Sequence, residues 1–313
     1  MERLMKIRIG TRGSKLALWQ AYFVEDKLVA AGVETEIVTI ETKGDKILDV
    51  SISKIGSKGV FTEEIEEQLA NGTIDIAVHS AKDMQSSLPD GFELISFSER
   101  ELANDVLISN NKEASLKNRN LVIGTSSTRR IATLKHFYPH IKTVPVRGNL
   151  QTRIAKMEEG VCDALLLAYA GVHRMGYEDK IAQKLSLTEF TPAVGQGSVA
   201  IEVHKGLSKT KKDLVRKALN HKPTEICLLA ERAFLKTMDG GCSIPVFGLA
   251  QIKDDSLQMT GGIVSLDGKE MIRKVFIGKL KDAKSIGQKL AEEVLSSGGD
   301  RILKSIKTEL SIE

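Results

Sequence analysis

Apolar and polar positions change period repeatedly along the chain. "KIRIG" reads as a strand, the apolar positions of "SKLALWQAYFVEDKLVAAG" recur at helical spacing, and "ETEIVTIET" returns to a strand. The helix "FTEEIEEQLANG", with Phe61, Ile65 and Leu69 on one face, and the strand "IDIAVHS" follow. From "NLVIGTSS" the cycle starts again, with helix "RRIATLKHF", strand "KTVPVRG", helix "LQTRIAKMEEG" and strand "DALLLAYAG" running into a turn. This alternation predicts an α/β fold, sheets with helices on their faces. A boundary is expected near residues 99 to 105 and a third unit from about residue 222, with strands in "LQMTGGIVSL" and "MIRKVFIGKL" and a closing helix "DAKSIGQKLAEEVLSSG".

One internal echo refines that picture. "IGTRGSKLA" at 9–17 and "IGTSSTRRIA" at 123–132 share a plan of strand, I-G-T, small polar turn, cation and helix. The echo predicts two α/β units of similar construction. Helix-start N–H groups, the hydroxyls of Ser14, Thr125, Ser126 and Ser127, and the neighbouring Arg12, Arg129 and Arg130 suit anions. Ligands of open α/β sheets collect at strand C-terminal ends, where both segments fall.

Composition narrows the function classes. The 313 residues are 42% hydrophobic and 27% charged, an ordinary globular balance. No apolar run approaches the ~18 residues of a membrane span. "MERLMKIRIG" has no apolar signal core, and three cysteines without a C-x-x-C pair point to a reducing, cytosolic compartment. A net charge of +4 with 4% aromatics argues against a nucleic-acid stacking platform. P-loop, G-x-G-x-x-G and H-E-x-x-H patterns are absent, so nucleotide and zinc chemistry have no support.

Four groups of residues could carry chemistry. Arg12, Lys54, Lys58, Lys82, Arg129, Arg130, Arg147, Arg153 and Arg174 fall in turns after strands or at helix starts. Any one alone reads as a solvated surface charge, but their recurrence at one topological edge points to a polyanion bound through carboxylates or phosphates. Asp83, just past an apolar strand in "AVHSAKDM", is either a turn aspartate or an ionised carboxylate placed to stabilise a cation. His79 reads as structural. Cys162 and Cys227 lie in apolar patterns and read as core thiols, whereas Cys242 in "KTMDGGCSIPVFG" follows two glycines that end a helix, where no core stripe claims it. Gly195 and Gly197 in "TPAVGQG" mark a close approach, a hinge or a plain tight turn.

Together the stretches "IRIGTRGSKLALWQ", "KGVFTEEIE", "DIAVHSAKD", "IGTSSTRR", "RGNLQTR", "LAYAGVHRMG", "PAVGQG" and "ERAFLKTMDGGCSIP" resemble the hydroxymethylbilane synthase, or porphobilinogen deaminase, family. They run in family order from residue 7 to about 248; Gln85 stands where the family usually has proline. The resemblance implies three α/β domains: residues 1–99 with about 200–221, residues 100–199, and residues 222–313 carrying a cofactor loop. The first two would resemble type 2 periplasmic-binding-protein domains, with hinges that let a cleft admit a lengthening chain. It implies a dipyrromethane cofactor held by a thioether on Cys242, onto which four porphobilinogen molecules are condensed before hydrolysis releases hydroxymethylbilane. Asp83 would be the catalytic acid and cation stabiliser. Lys82, Thr125, Ser127, Arg129 and Arg130 would face the cofactor, and Arg12, Ser14, Lys54, Lys58, Arg147, Arg153 and Arg174 the substrate carboxylates. The implied protein is a cytoplasmic monomer acting on a small molecule, with no metal, nucleic acid or membrane partner. A binding protein for an acidic small molecule would use the same arginines but gives no reason for the Cys242 loop.

Overall fold

Residues 5–46, 62–241 and 243–310 are described by the computed structural model. They fall into two units, one of residues 5–46, 62–100 and 198–225, the other of 101–197 and the described residues from 226 onward. Lys54, Lys58, Phe61 and Cys242 lie outside the described residues.

The first unit is built on β1 (Lys6–Arg12), β2 (Glu34–Ile40), β3 (Ile76–Ser80), β4 (Phe92–Phe97) and β10 (Val199–His204), in the order β2-β1-β3-β10-β4. β1 runs parallel to β2 and β3, while β10 is antiparallel to both its neighbours. Ile7 and Ile9 of β1 join a core with Ala21, Val24 and Leu28 of helix α1 (Lys15–Ala30). Helix α2 (Glu63–Ala70) buries Ile65 and Leu69, the face its periodicity predicts.

The second unit repeats the plan. Its strands β5 (Asp105–Ile108), β6 (Val122–Gly124), β7 (Lys142–Val144), β8 (Ala164–Ala168) and β9 (Ile181–Lys184) are ordered β7-β6-β8-β5-β9. β6 is parallel to β7 and β8, and β5 is the reversed strand. Thus β6 with helix α3 (Thr128–Phe137) corresponds to β1 with α1, and the I-G-T echo is one sheet plan used twice. Helix α4 (Leu150–Glu158) follows β7. After β8 the expected turn is instead a short helix, α5 (Tyr169–Arg174), within which Tyr169 and His173 stack at 5.6 Å.

Helix α6 (Lys209–Leu219) covers the first unit's sheet through Val215 and Leu219. Helix α7 (Lys222–Thr237) leads to an antiparallel three-stranded sheet of β11 (Val246–Lys253), β12 (Ser256–Val264) and β13 (Met271–Lys279). Phe234, Met259, Ile263 and Leu290 share its core with helix α8 (Ala283–Val294). That helix is not the last. Gly298, at φ 106°, turns the chain into α9 (Asp300–Leu310), which buries Ile302 and Ile306. The end of α7 also departs from expectation. Asp239 takes the left-handed conformation (φ 47°), and Gly240 N–H donates to Leu235 O at 3.1 Å, so the aspartate and not a glycine occupies the cap position. Asp239 pairs with Lys307 of α9.

The echo's two glycines are required by close approach. A Cβ on Gly124 would stand 2.6 Å from Cys162 Sγ and 2.7 Å from both Leu165 Cδ2 and Val146 Cγ2, three side chains from two segments. At Gly10 the one severe contact is the flexible end of Ile74, at 2.2 Å. Gly124→Ala is therefore expected to destabilise by about 1–3 kcal/mol and Gly10→Ala by less. Thermal unfolding of the two variants checks the order, and an equal or larger loss at Gly10 contradicts it.

Candidate functional site

In the first unit, β1 and β3 are parallel neighbours, with Ile9 opposite Ile76, and end on the same edge. Arg12 is the last residue of β1, and Ser14 caps α1, its hydroxyl accepting from Ala17 N–H at 3.3 Å. At the end of β3, Ser80 accepts a hydrogen bond from Gln20 of α1 at 2.9 Å. The chain then makes a single 3-10 turn, Ala81–Asp83. Ala81 and Met84 are buried on either side of it, while Lys82 is half-buried and the Asp83 side is exposed. Two apolar anchors thus hold a turn whose carboxylate faces solvent. Beyond it, Gln85 Nε2 donates to Thr62 Oγ1 at 3.1 Å.

In the second unit the hydroxyl-rich turn after β6 is held by backbone groups, its own and that of Val146. Thr125 Oγ1 accepts from Ser127 N–H at 3.3 Å, Ser126 donates to Val146 O at 3.1 Å, and Ser127 caps α3. The next residues, Arg129 and Arg130, are buried and share one carboxylate. Arg129 donates to Asp105 Oδ2 at 2.8 Å and to Thr191 O at 3.0 Å. Arg130 donates to Asp105 Oδ1 at 2.7 Å and to Leu166 O at 3.0 Å. Gln196 adds a third donor to Asp105 at 3.0 Å and also holds Ala103 O.

Burial alone would push the Asp105 carboxyl up, but the Arg129 and Arg130 guanidiniums outweigh it and hold it far below the usual carboxylate range. Burial, with neighbouring Arg130, lowers Arg129 from its ordinary value against the pull of Asp105. Two cations facing one anion leave a surplus positive charge where both arginines are only 6% exposed. Arg130 Nε is buried there without a hydrogen-bond partner among the described residues. Asp105 and Gln196 escaped the sequence reading; the available signal was an acidic residue opening the otherwise apolar "DVLI".

The remaining cations take separate places. Arg147 follows β7 and is half-buried, and Arg153 on α4 donates to Gly148 O at 2.8 Å. Arg174 ends α5 and donates to Gly197 O at 2.7 Å; burial lowers its pKa, with Glu101 opposing. Gly195 and Gly197 both adopt left-handed φ, 78° and 98°. Gly195 N–H donates to the fully buried Glu231 at 2.8 Å, and the same carboxylate accepts from Ala250 N–H at 2.8 Å. Cys162 and Cys227 are buried, as their apolar settings predict, and burial pushes the Cys162 thiol up. Flanking position 242, Ile244 N–H donates to Gly241 O at 3.0 Å. Among the described residues, no group of His, Cys, Asp and Glu could hold a metal ion and no helix is long and apolar enough to cross a membrane.

Residues 7–212 match the family model described as "Porphobilinogen deaminase, dipyromethane cofactor binding domain", and residues 225–296 match "Porphobilinogen deaminase, C-terminal domain". The chain belongs to the porphobilinogen deaminase family. A porphobilinogen deaminase of Cytophaga hutchinsonii is 59% identical over 306 residues, 97% of this chain and 98% of the relative. That of Desulfosudis oleivorans is 54% identical over 307 residues, 97% of this chain and 99% of the relative. Among solved structures, the periplasmic VFT2 domain of Bordetella pertussis BvgS aligns at 17% identity with a TM-score of 0.41, covering 69% of this chain and 86% of that one.

In this member of the porphobilinogen deaminase family, Asp105→Asn would leave two buried guanidiniums without a counter-charge, an expected loss of about 3–5 kcal/mol. The folded Asp105 carboxyl titrates below its ordinary 3.8, so its contribution is present above that value and is lost as pH falls through the folded value. Acid unfolding curves should therefore show a shallower decline below pH 3.8 in Asp105→Asn than in the wild type. Equal stability of the two proteins at neutral pH contradicts this assignment.

Proposed function

We propose that the chain catalyses the porphobilinogen deaminase reaction, joining four porphobilinogen molecules head to tail onto an enzyme-bound dipyrromethane, each with loss of ammonia. Hydrolysis then releases hydroxymethylbilane. The observation that carries this reading is the match of residues 7–212 to a cofactor-binding domain, a stretch that includes Asp83, Arg129 and Arg130. Every pyrrole unit brings an acetate and a propionate, so substrate and cofactor are both polyanionic. The surplus charge at Arg129, Arg130 and Asp105, with the unpartnered Arg130 Nε, fits such a group.

Cys242 would hold the dipyrromethane through a thioether, with Lys82, Thr125, Ser127, Arg129 and Arg130 directed to its carboxylates. When bound, the group supplies a free pyrrole carbon as the nucleophile. Arg12, Ser14, Lys54, Lys58, Arg147, Arg153 and Arg174 would bind the carboxylates of incoming units, the arginines as two-pronged donors. Asp83 is the catalytic carboxylate in this reading. Its exposure at a strand end beside Lys82 suits it to accept pyrrole N–H bonds and to stabilise the cation left when the aminomethyl C–N bond breaks. In its acid form it supplies a proton to the departing amine. The protein would act as a monomer in the cytoplasm.

Protein purified from cells that make porphobilinogen should carry two pyrrole units on the peptide containing Cys242, with Cys162 and Cys227 unmodified. An unmodified intact mass would overturn the reading. Cys242→Ser should fail to load the cofactor normally, because a serine hydroxyl is barely ionised near neutral pH. Asp83→Asn should lower turnover by at least ~100-fold. Near-normal turnover in that variant moves the catalytic role elsewhere.

A further inference from the structure

On β13, Arg273 is a half-buried guanidinium that pairs with no carboxylate among the described residues. Burial lowers its pKa from the ordinary value. Its Nε is buried without a hydrogen-bond partner among those residues. A cation kept there without a counter-charge costs stability, so what it does hold is informative.

The third sheet is shaped to let it reach. Arg273 stands opposite Gly262 of β12, which in turn stands opposite Phe247 of β11. A Cβ on Gly262 would lie 2.5 Å from Phe247 Cζ. The bare glycine leaves the row open, and the Arg273 guanidinium carbon sits 5.3 Å from the centre of the Phe247 ring. From there Nη2 donates to Thr191 Oγ1, with Leu187 O at 3.5 Å.

Thr191 is 3% exposed, and its hydroxyl gives its one proton to Leu187 O at 2.9 Å, leaving a lone pair for Arg273. Its carbonyl accepts from Arg129 Nη1 at 3.0 Å. The Thr191–Pro192 peptide has no N–H, so its direction depends on what grips its neighbours. Arg273 grips one side, and on the other Gly248 N–H of β11 donates to Pro192 O at 3.0 Å. Arg130 differs. Its acceptors Asp105 and Leu166 both belong to the second unit's own sheet, on β5 and β8.

The hairpin that carries Arg273 also seats on the far end of α3. Lys135 Nζ donates to Leu266 O at 2.8 Å, and His136 Nδ1 donates to Gly268 O at 2.7 Å, a carbonyl being able only to accept. Gly268 takes a left-handed φ of 76°, and a Cβ there would stand 2.5 Å from Lys135 Cβ. Helix α3 is thus held by the hairpin at its last turn and, through Thr191, at Arg129 in its first.

We infer that Arg273 is a positioning residue for Arg129, acting through Thr191, and so sets how well the arginine pair receives the cofactor's carboxylates. This rests on the reading of Arg129 as a cofactor donor. Asp105 holds one end of the Arg129 guanidinium, and the Thr191 carbonyl stops it from rotating about that contact. A fork turned out of the plane of a carboxylate loses one of its two bonds.

The experiment compares wild type, Arg273→Met, Arg273→Lys, Thr191→Val, Arg129→Met, and Arg129→Met combined with each of Arg273→Met and Thr191→Val. Each is purified from cells whose porphobilinogen supply is limiting. Intact mass gives the ratio of molecules carrying pyrrole units to molecules carrying none, and thermal unfolding gives stability. Arg273→Met and Thr191→Val should each lower that ratio about tenfold, as expected of a binding group held slightly out of place. Arg273→Lys should restore part of it, since an ammonium still donates to Thr191 but cannot stack flat on Phe247. Arg129→Met should lower the ratio at least as far, and either second change should then cost little more. A loss of stability alone would not give that pattern. Folded Arg273→Met and Thr191→Val proteins that load like wild type overturn the inference, as do double variants whose losses multiply. Should Arg273→Met not fold, Thr191→Val decides, alone and with Arg129→Met, because it removes one hydroxyl and keeps the shape. Normal loading of Arg129→Met overturns the cofactor reading of Arg129 and this inference with it. Poor loading of Arg129→Met beside normal loading of the Arg273 and Thr191 variants overturns this inference alone.

Discussion

The Asp105 carboxylate is the constraint around which the second unit is arranged. Two guanidiniums cannot be taken out of water unless a counter-charge and hydrogen-bond acceptors come with them. Asp105 supplies the charge, and the carbonyls of Thr191 and Leu166 take the remaining terminal donors. Gln196 joins Asp105 to Ala103 O, so the stretch leading into β5 and the stretch leading out of the unit meet at one carboxylate. The hydroxyl turn of α3, the strand start and the glycine-bearing "PAVGQG" segment are fixed relative to each other by a few charge-assisted bonds. A site built this way needs little reorganisation when an anion arrives, since its cations are already oriented.

The first unit uses the same sheet plan with a different chemistry at the corresponding edge. Its I-G-T segment ends in Arg12 and a capped helix, and its third strand ends in the 3-10 turn that exposes Asp83. Duplication of a scaffold has thus produced one edge with buried, oriented cations and one with an exposed carboxylate. The glycine of each echo lets neighbouring side chains close over the strand just before these residues, tightly in the second unit and more loosely in the first. Division of roles between two copies of one plan leaves each free to change at its strand ends while the sheets stay alike.

Much of this was legible from the residues. Alternating periods implied both sheets, the echo implied their kinship, and the apolar settings of Cys162 and Cys227 implied burial, which both show. The family motifs carried the identity. What stayed hidden depends on pairing across strands. Asp105 is far from Arg129 in sequence, and an acidic residue at the start of a buried strand looks like a strand boundary until the sheet order brings the arginines to it. The helix after β8 was missed because a short turn and a six-residue helix share the same composition. "SSGG" read as a terminus although Gly298 only redirects the chain.

The strand order of the first unit carries a consequence for how the protein is made. β10 lies between β3 and β4, yet it is encoded after the whole of the β5–β9 sheet. A nascent chain that has released β1 to β4 therefore holds an open sheet with two unpaired inner edges, and must wait for residues 199–204 before they can be joined. Exposed edges of that kind are sites of non-native pairing. The β5–β9 sheet has no such delay, as all its strands are contiguous in the message. Emergence from the ribosome thus favours the order in which the second sheet closes first, and the Asp83 edge is completed only after the arginine edge already exists.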